Sequence, residues 1–175
     1  MSLLTIITPS NPILRRKARP IADPRTPEIQ RLIDDMIETM RDAPGVGLAA
    51  PQVAEPIRLA VIEYAPDPED LPEGVEPPAA KLYVIVNPEI TGRSEEMVDG
   101  AEGCLSIPGY AGMVMRHNAV TIKALNRQGR PIRIKAEGWL ARIFQHEIDH
   151  LDGVLFIDRA SRTWKTREDE EIEAE

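Results

Sequence analysis

The residues of this chain with the most chemistry in them are His146, Glu147 and His150, in the run His146-Glu147-Ile148-Asp149-His150. On a helix, positions i and i+4 lie one turn apart on the same face. Two imidazoles so arranged can hold one metal ion, and a glutamate beside the first can act on a water at that ion. The pattern points to metal-assisted hydrolysis. Such a short pattern also arises by chance, so its surroundings decide. Leu140, Ile143 and Phe144 lead into it at helical spacing. Ile143, His146, Glu147 and His150 then share one face, and that face is the inward one. Polar groups there need partners, because burying them unpaired is costly. Gly153, after Leu151 and Asp152, stands where the helix should end.

A catalytic zinc-type site usually has three protein ligands and one open position. Cys104, His117 and a carboxylate are the candidates for the third. Cys104 sits in Glu102-Gly103-Cys104-Leu105-Ser106, among glycine and small polar residues. A lone cysteine is ordinarily a small buried hydrophobe. His117, between Arg116 and Asn118, reads as a surface side chain. Taken on these residues alone, the third ligand stays open.

Other elements must position this helix. Thr26 is a suitable N-cap and Pro27 suits a first helical position. Ile29, Leu32, Ile33, Met36, Ile37 and Met40 follow as one apolar stripe, and Pro44-Gly45 closes it. Residues 11–24 read as an arm with a basic cluster, Arg15-Arg16-Lys17. Arg58 to Glu63 reads as a strand. Leu82 to Val86 reads as another, ended by Asn87-Pro88. Ala119 to Leu125 and Ile132 to Ala136 read as a hairpin turning through residues 126–130. Tyr64 to Ala80 is rich in proline and acids, which marks a surface loop. Strands joined by short turns, with helices to pack on them, predict an α+β fold: antiparallel sheets around a central helix bearing the histidines, an N-terminal helix and a C-terminal segment.

The 175 residues suit one domain. Aromatic residues make up 4% of the chain, so its core must be aliphatic. A single cysteine cannot make an intramolecular disulfide, and no apolar run reaches the roughly 20 residues of a membrane span. With no export pattern at the N-terminus, the expected location is a reducing cytoplasm. The net charge is −8, but six acids fall in Glu168 to Glu175, leaving −2 for the rest. The acidity belongs to a tail over about 165–175, expected to be solvated and mobile, and it argues against nucleic-acid binding.

Three segments resemble the signatures of the peptide deformylase family, in the family's order: residues 45–52 (Gly45-Val46-Gly47-Leu48-Ala49-Ala50-Pro51-Gln52), Glu102 to Ser106, and Gln145 to Gly153. Residues 11–18 resemble its N-terminal segment. The resemblance implies an enzyme that removes the formyl group from N-formylmethionyl nascent chains and releases formate. It implies Cys104, His146 and His150 as ligands of one divalent metal, Fe2+ in cells, with Zn2+ or Ni2+ able to substitute. Glu147 is implied as general base and acid, with the Gln52 side-chain amide and the Leu105 backbone N–H as oxyanion donors. Gly45, Val46 and Gly47 are implied to bind the peptide as an added strand. Val46 and Ile143 are candidates for the methionine pocket. Asp149 and Gln145 flank the ligands and are expected to orient them. Glu102 and Arg116 are implied as a structural pair. The ribosome surface is a further candidate partner. Two departures stand out: Ala111 and Ala54 occupy positions where many members have arginine and glycine. The rival reading is a zinc endopeptidase, which shares the pentapeptide but would take a histidine or carboxylate downstream as third ligand.

Overall fold

In the computed structural model, which describes residues 1–166, the first long element is helix α1, Pro27–Asp42. Thr26 caps it by accepting from the Ile29 N–H at 3.5 Å, and Pro27 opens it without losing a needed donor. Ile33, Met36, Ile37 and Met40 are buried. They pack with Leu48 of strand β1 (Gly47–Ala49) and with Leu59 and Val61 of β2 (Leu59–Tyr64). Burial of each such side chain is worth roughly 1.5–3 kcal/mol. Between the two strands a short turn of 3₁₀ helix, Ala50–Val53, ends at Ala54 with φ 65°. A glycine there would escape the Cβ penalty of that left-handed conformation.

The larger sheet is antiparallel with strand order β1-β2-β3-β6-β7. It adds β3 (Lys81–Arg93), β6 (Ala119–Leu125) and β7 (Pro131–Glu137). The β6–β7 hairpin turns where the sequence predicts, with Asn126 Oδ1 accepting from the Gln128 and Arg130 N–H groups. Strand β3 corrects one expectation, for it does not end at Asn87-Pro88. Asn87 turns left-handed (φ 50°), its side-chain amide pairs with both main-chain groups of Ile21, and β3 resumes after a register shift. Proline is tolerated at such a bulge. Tyr64 closes β2, and the segment from there to Ala80 holds one 3₁₀ turn, Pro68–Asp70, and no further strand.

A smaller sheet, order β4-β5-β8, comprises β4 (Met97–Cys104), β5 (Ile107–His117) and β8 (Arg162–Lys165). Helix α2, Gly138–Leu151, is buried from Ala141 to Ile148. Ala141, Phe144, Ile148 and Leu151 pack on Ile62, Ile85 and Ile122 of the larger sheet. At Gly153 (φ 75°) the chain leaves the helix, and any Cβ there would meet the Arg15 carbonyl oxygen at 2.5 Å. A one-turn helix, α3 (Phe156–Arg159), then packs Phe156 with Leu155, Ile107 and Val114. The fold is α+β, with antiparallel sheets about a central helix. The acidic tail from 167 onward lies outside the described residues.

Candidate metal centre and active-site cleft

Helix α2 presents His146 and His150 one turn apart, and the end of β4 brings Cys104 to them. The ligand atoms of these three residues all lie within 4.8 Å of one another. Cys104 Sγ is 3.3 Å from His150 Nε2. His117 stands apart from the group: its Nδ1 lies 2.8 Å from the Ser94 carbonyl oxygen. One thiol and two imidazoles meeting in a buried corner are a chemically sensible donor set for a divalent transition metal, since soft sulfur and borderline imidazole both suit such ions. His150 Nδ1 has no hydrogen-bond partner, and neither has Glu147 Oε2.

Around that corner the polar residues are tied down. His146 Nδ1 is 2.9 Å from Glu102 Oε1, which leaves its Nε2 for the centre. Arg116 grips both oxygens of Glu102, from Nε at 3.0 Å and Nη2 at 2.9 Å. Its Nη1 reaches Asp149 at 2.5 Å. Gln52 is buried, accepts from the Ala49 N–H at 2.9 Å, and aims its amide nitrogen at Ser106 Oγ (3.2 Å) and Cys104 Sγ (3.5 Å). Glu147 faces Gly47, where a Cβ would come within 2.6 Å of Glu147 Oε1. A cavity of about 370 Å³ opens beside these groups, and Gly45, Val46, Gly47, Leu105 and Ile143 border it.

Asp149 pairs with Arg116 and Arg159, and Gln145 binds both main-chain groups of His117, so the hydrogen bonds of these two go to groups other than the imidazoles. Arg142 and Trp139 also border the cleft, and nothing in the signature segments points to them. Arg142 precedes His146 by one turn, so the same i, i+4 count that paired the histidines would have found it.

Electrostatics follow from this packing. Burial pushes Glu147 up to about 7. For His146, burial pulls downward, but hydrogen bonds to Cys104 and Glu102 and the Glu147 charge outweigh it and raise the imidazole to about 10. His150 goes the other way, well below its usual value, through burial and then the nearby charges of His146 and Arg116. The surroundings thus drive the two imidazoles in opposite directions, and both would have to be neutral to hold an ion. Burial opposes ionisation of Glu102, yet its hydrogen bonds to His146 and Arg116 hold it down at about 2. Its folded value lies below the ordinary 4.5, so it stabilises the fold above about pH 4.5 and that contribution is lost as pH falls toward 2. Urea unfolding at stepped pH should show this acid limb, and Glu102→Gln should flatten it.

The fold and this site define a metal-dependent hydrolase. The polypeptide deformylase family model matches residues 3–166. The chain is 47% identical to a peptide deformylase of Symbiobacterium thermophilum, over all of this chain and 75% of that one. It is 46% identical to peptide deformylase 2 of a Nostoc species, over 98% of this chain and 93% of that one. Among solved structures, the Met-Ala-Ser-bound class I type b peptide deformylase of Acinetobacter baumannii superposes with a TM-score of 0.81 at 39% identity, covering 91% of this chain and 99% of that one. The Ehrlichia chaffeensis enzyme in complex with actinonin gives 0.82 at 40%, covering 93% and 91%. The chain belongs to the polypeptide deformylase family, whose members remove the N-formyl group from new peptides. The endopeptidase alternative is set aside. Among the described residues, no helix is long and apolar enough to cross a membrane.

Proposed function

We propose that this chain hydrolyses the formyl amide of N-formylmethionyl nascent peptides in the cytoplasm, releasing formate and a free amine, with Cys104, His146 and His150 holding one divalent ion. We read residues 1–175 as one catalytic domain. The observation that carries the proposal is the convergence of the Cys104 thiol on the two α2 imidazoles, beside a buried glutamate and a glutamine amide. The mixed sulfur and nitrogen set suits Fe2+, with Zn2+ and Ni2+ as substitutes. When bound, such an ion supplies Lewis-acid chemistry, acidifying a water and polarising a carbonyl.

The remaining work falls to side chains and backbone. Glu147 takes a proton from the attacking water and returns one to the departing amine. Burial raises its carboxyl and the charge of a bound divalent ion would lower it again, which leaves a group able both to take the proton and to return it. The Leu105 N–H and the Gln52 amide donate to the oxygen on which charge develops, each worth about 3 kcal/mol if aligned. Gly45 to Gly47 offer main-chain groups to an extended peptide, which leaves most side chains unread. Val46 and Ile143 border the cleft where the methionine side chain would lie. Glu102 and Arg116 hold His146 from behind. The ribosome surface would be a second partner, met while the chain emerges.

Mass spectrometry of a formyl-methionyl tripeptide and its acetyl counterpart tests the reading. Loss of the formyl group alone, with the acetyl peptide untouched, is the expected result. Cleavage within either peptide would favour the endopeptidase. Gly47→Ala is expected to displace the Glu147 carboxylate and to lower kcat/KM about 100-fold with an unchanged melting temperature. Steady-state kinetics beside a thermal melt check this.

A further inference from the structure

Helix α2 carries one arginine, Arg142, and it is only 5% exposed. Its Nη1 donates to Glu102 Oε2 and to the Val114 carbonyl, both at 2.7 Å, and its Nη2 donates to the Val98 carbonyl at 2.6 Å. The guanidinium carbon lies 5.5 Å from the centre of the Trp139 ring. On β4, Gly100 makes the room: a Cβ there would sit 2.6 Å from Arg142 Cζ. The residue also borders the substrate cleft.

A helix-to-sheet staple would need only the two carbonyls. The bond to Glu102 does something else. Glu102 Oε1 is shared between Arg116 Nη2 and His146 Nδ1, and Oε2 between Arg116 Nε and Arg142 Nη1. Arg116 alone grips the carboxylate as a fork from one side, about which the group can still tilt. Arg142 fixes the second oxygen from another direction, and this keeps the first aimed at the imidazole. The hydrogen bond at one ring nitrogen sets the orientation and basicity with which the other binds a metal.

We infer that Arg142 is a positioning residue for His146, acting through Glu102, so that a guanidinium at the edge of the substrate cleft sets how tightly the three ligands hold their ion. This rests on the metal reading above and extends it to a residue outside the signature segments.

The test is the zinc dissociation constant, measured by competition with a chromophoric chelator well below the unfolding transition, beside the visible spectrum of the cobalt-loaded protein. Arg142→Met is expected to weaken zinc binding about 10- to 100-fold and to shift the cobalt bands. Arg142→Lys keeps the charge and should recover much of the thermal stability. It should not recover the affinity, because a compact ammonium cannot reproduce the planar fork. Gly100→Ala leaves every charge in place and displaces the guanidinium, so it should weaken zinc in the same direction, and it carries the test with the lysine variant if Arg142→Met fails to fold. Folded variants whose zinc affinity stays within about twofold of wild type, with unchanged cobalt bands, would overturn the inference, for outer-shell partners normally cost more. A wild-type protein that binds no ion would instead sink the metal reading.

Discussion

Glu147→Gln is expected to lower kcat for formate release by about 10²- to 10⁴-fold while leaving one metal ion per chain. The change is nearly isosteric, so the cleft keeps its shape. What it removes is the carboxyl that borders the ligands and can take and return a proton. Nor should folding suffer, because the wild-type Glu147 already keeps one carboxylate oxygen buried without a partner. Rapid-quench kinetics with metal analysis on the same preparation separate these effects. A variant that keeps its ion and retains more than about a tenth of wild-type turnover would remove Glu147 from the mechanism.

Glu102→Gln should have the largest effect on stability. One carboxylate faces two buried guanidiniums and an imidazole. Neutralising it leaves Arg142 with no carboxylate partner and Arg116 with Asp149 alone. Breaking a buried charge pair by losing one partner typically costs 3–5 kcal/mol. In a chain of this length that corresponds to a fall in melting temperature of roughly 10 °C. Metal affinity should fall as well, about 10- to 100-fold, because the acceptor that orients His146 becomes weaker. Denaturant unfolding gives the first quantity and chelator competition the second. A loss below about 1 kcal/mol would mean that solvent reaches this network and screens it.

The parts of the fold legible in the sequence are those whose buried face is apolar. The α1 stripe from Ile29 to Met40 and the alternating β6–β7 hairpin follow from periodicity, and the inward face of α2 follows from Ile143 beside its histidines. The β4–β5 hairpin does not, and its absence from the sequence reading has a physical cause. Its buried positions include Glu102, Gly112 and Arg116, with Ile107 and Val114 as the apolar ones. A strand pair built to house a charged network shows no hydrophobic alternation. Strand β8 is exposed at all four of its positions and gives no burial signal either. For the same reason the neighbours of Cys104 could not choose between ligand and buried hydrophobe. The choice came from the resemblance of three segments, and its geometric counterpart is that β4 ends against α2.

The central claim is that deformylation depends on one ion held by Cys104, His146 and His150. The most direct test titrates the protein anaerobically with Fe2+, and separately with Zn2+, and measures bound metal and formate release from a formyl-methionyl tripeptide on the same samples. The account predicts that activity rises in proportion to bound ion and levels at one per chain, and that Cys104→Ala shows neither. Formate release indifferent to the bound ion, or none from a protein carrying its full complement, would contradict it.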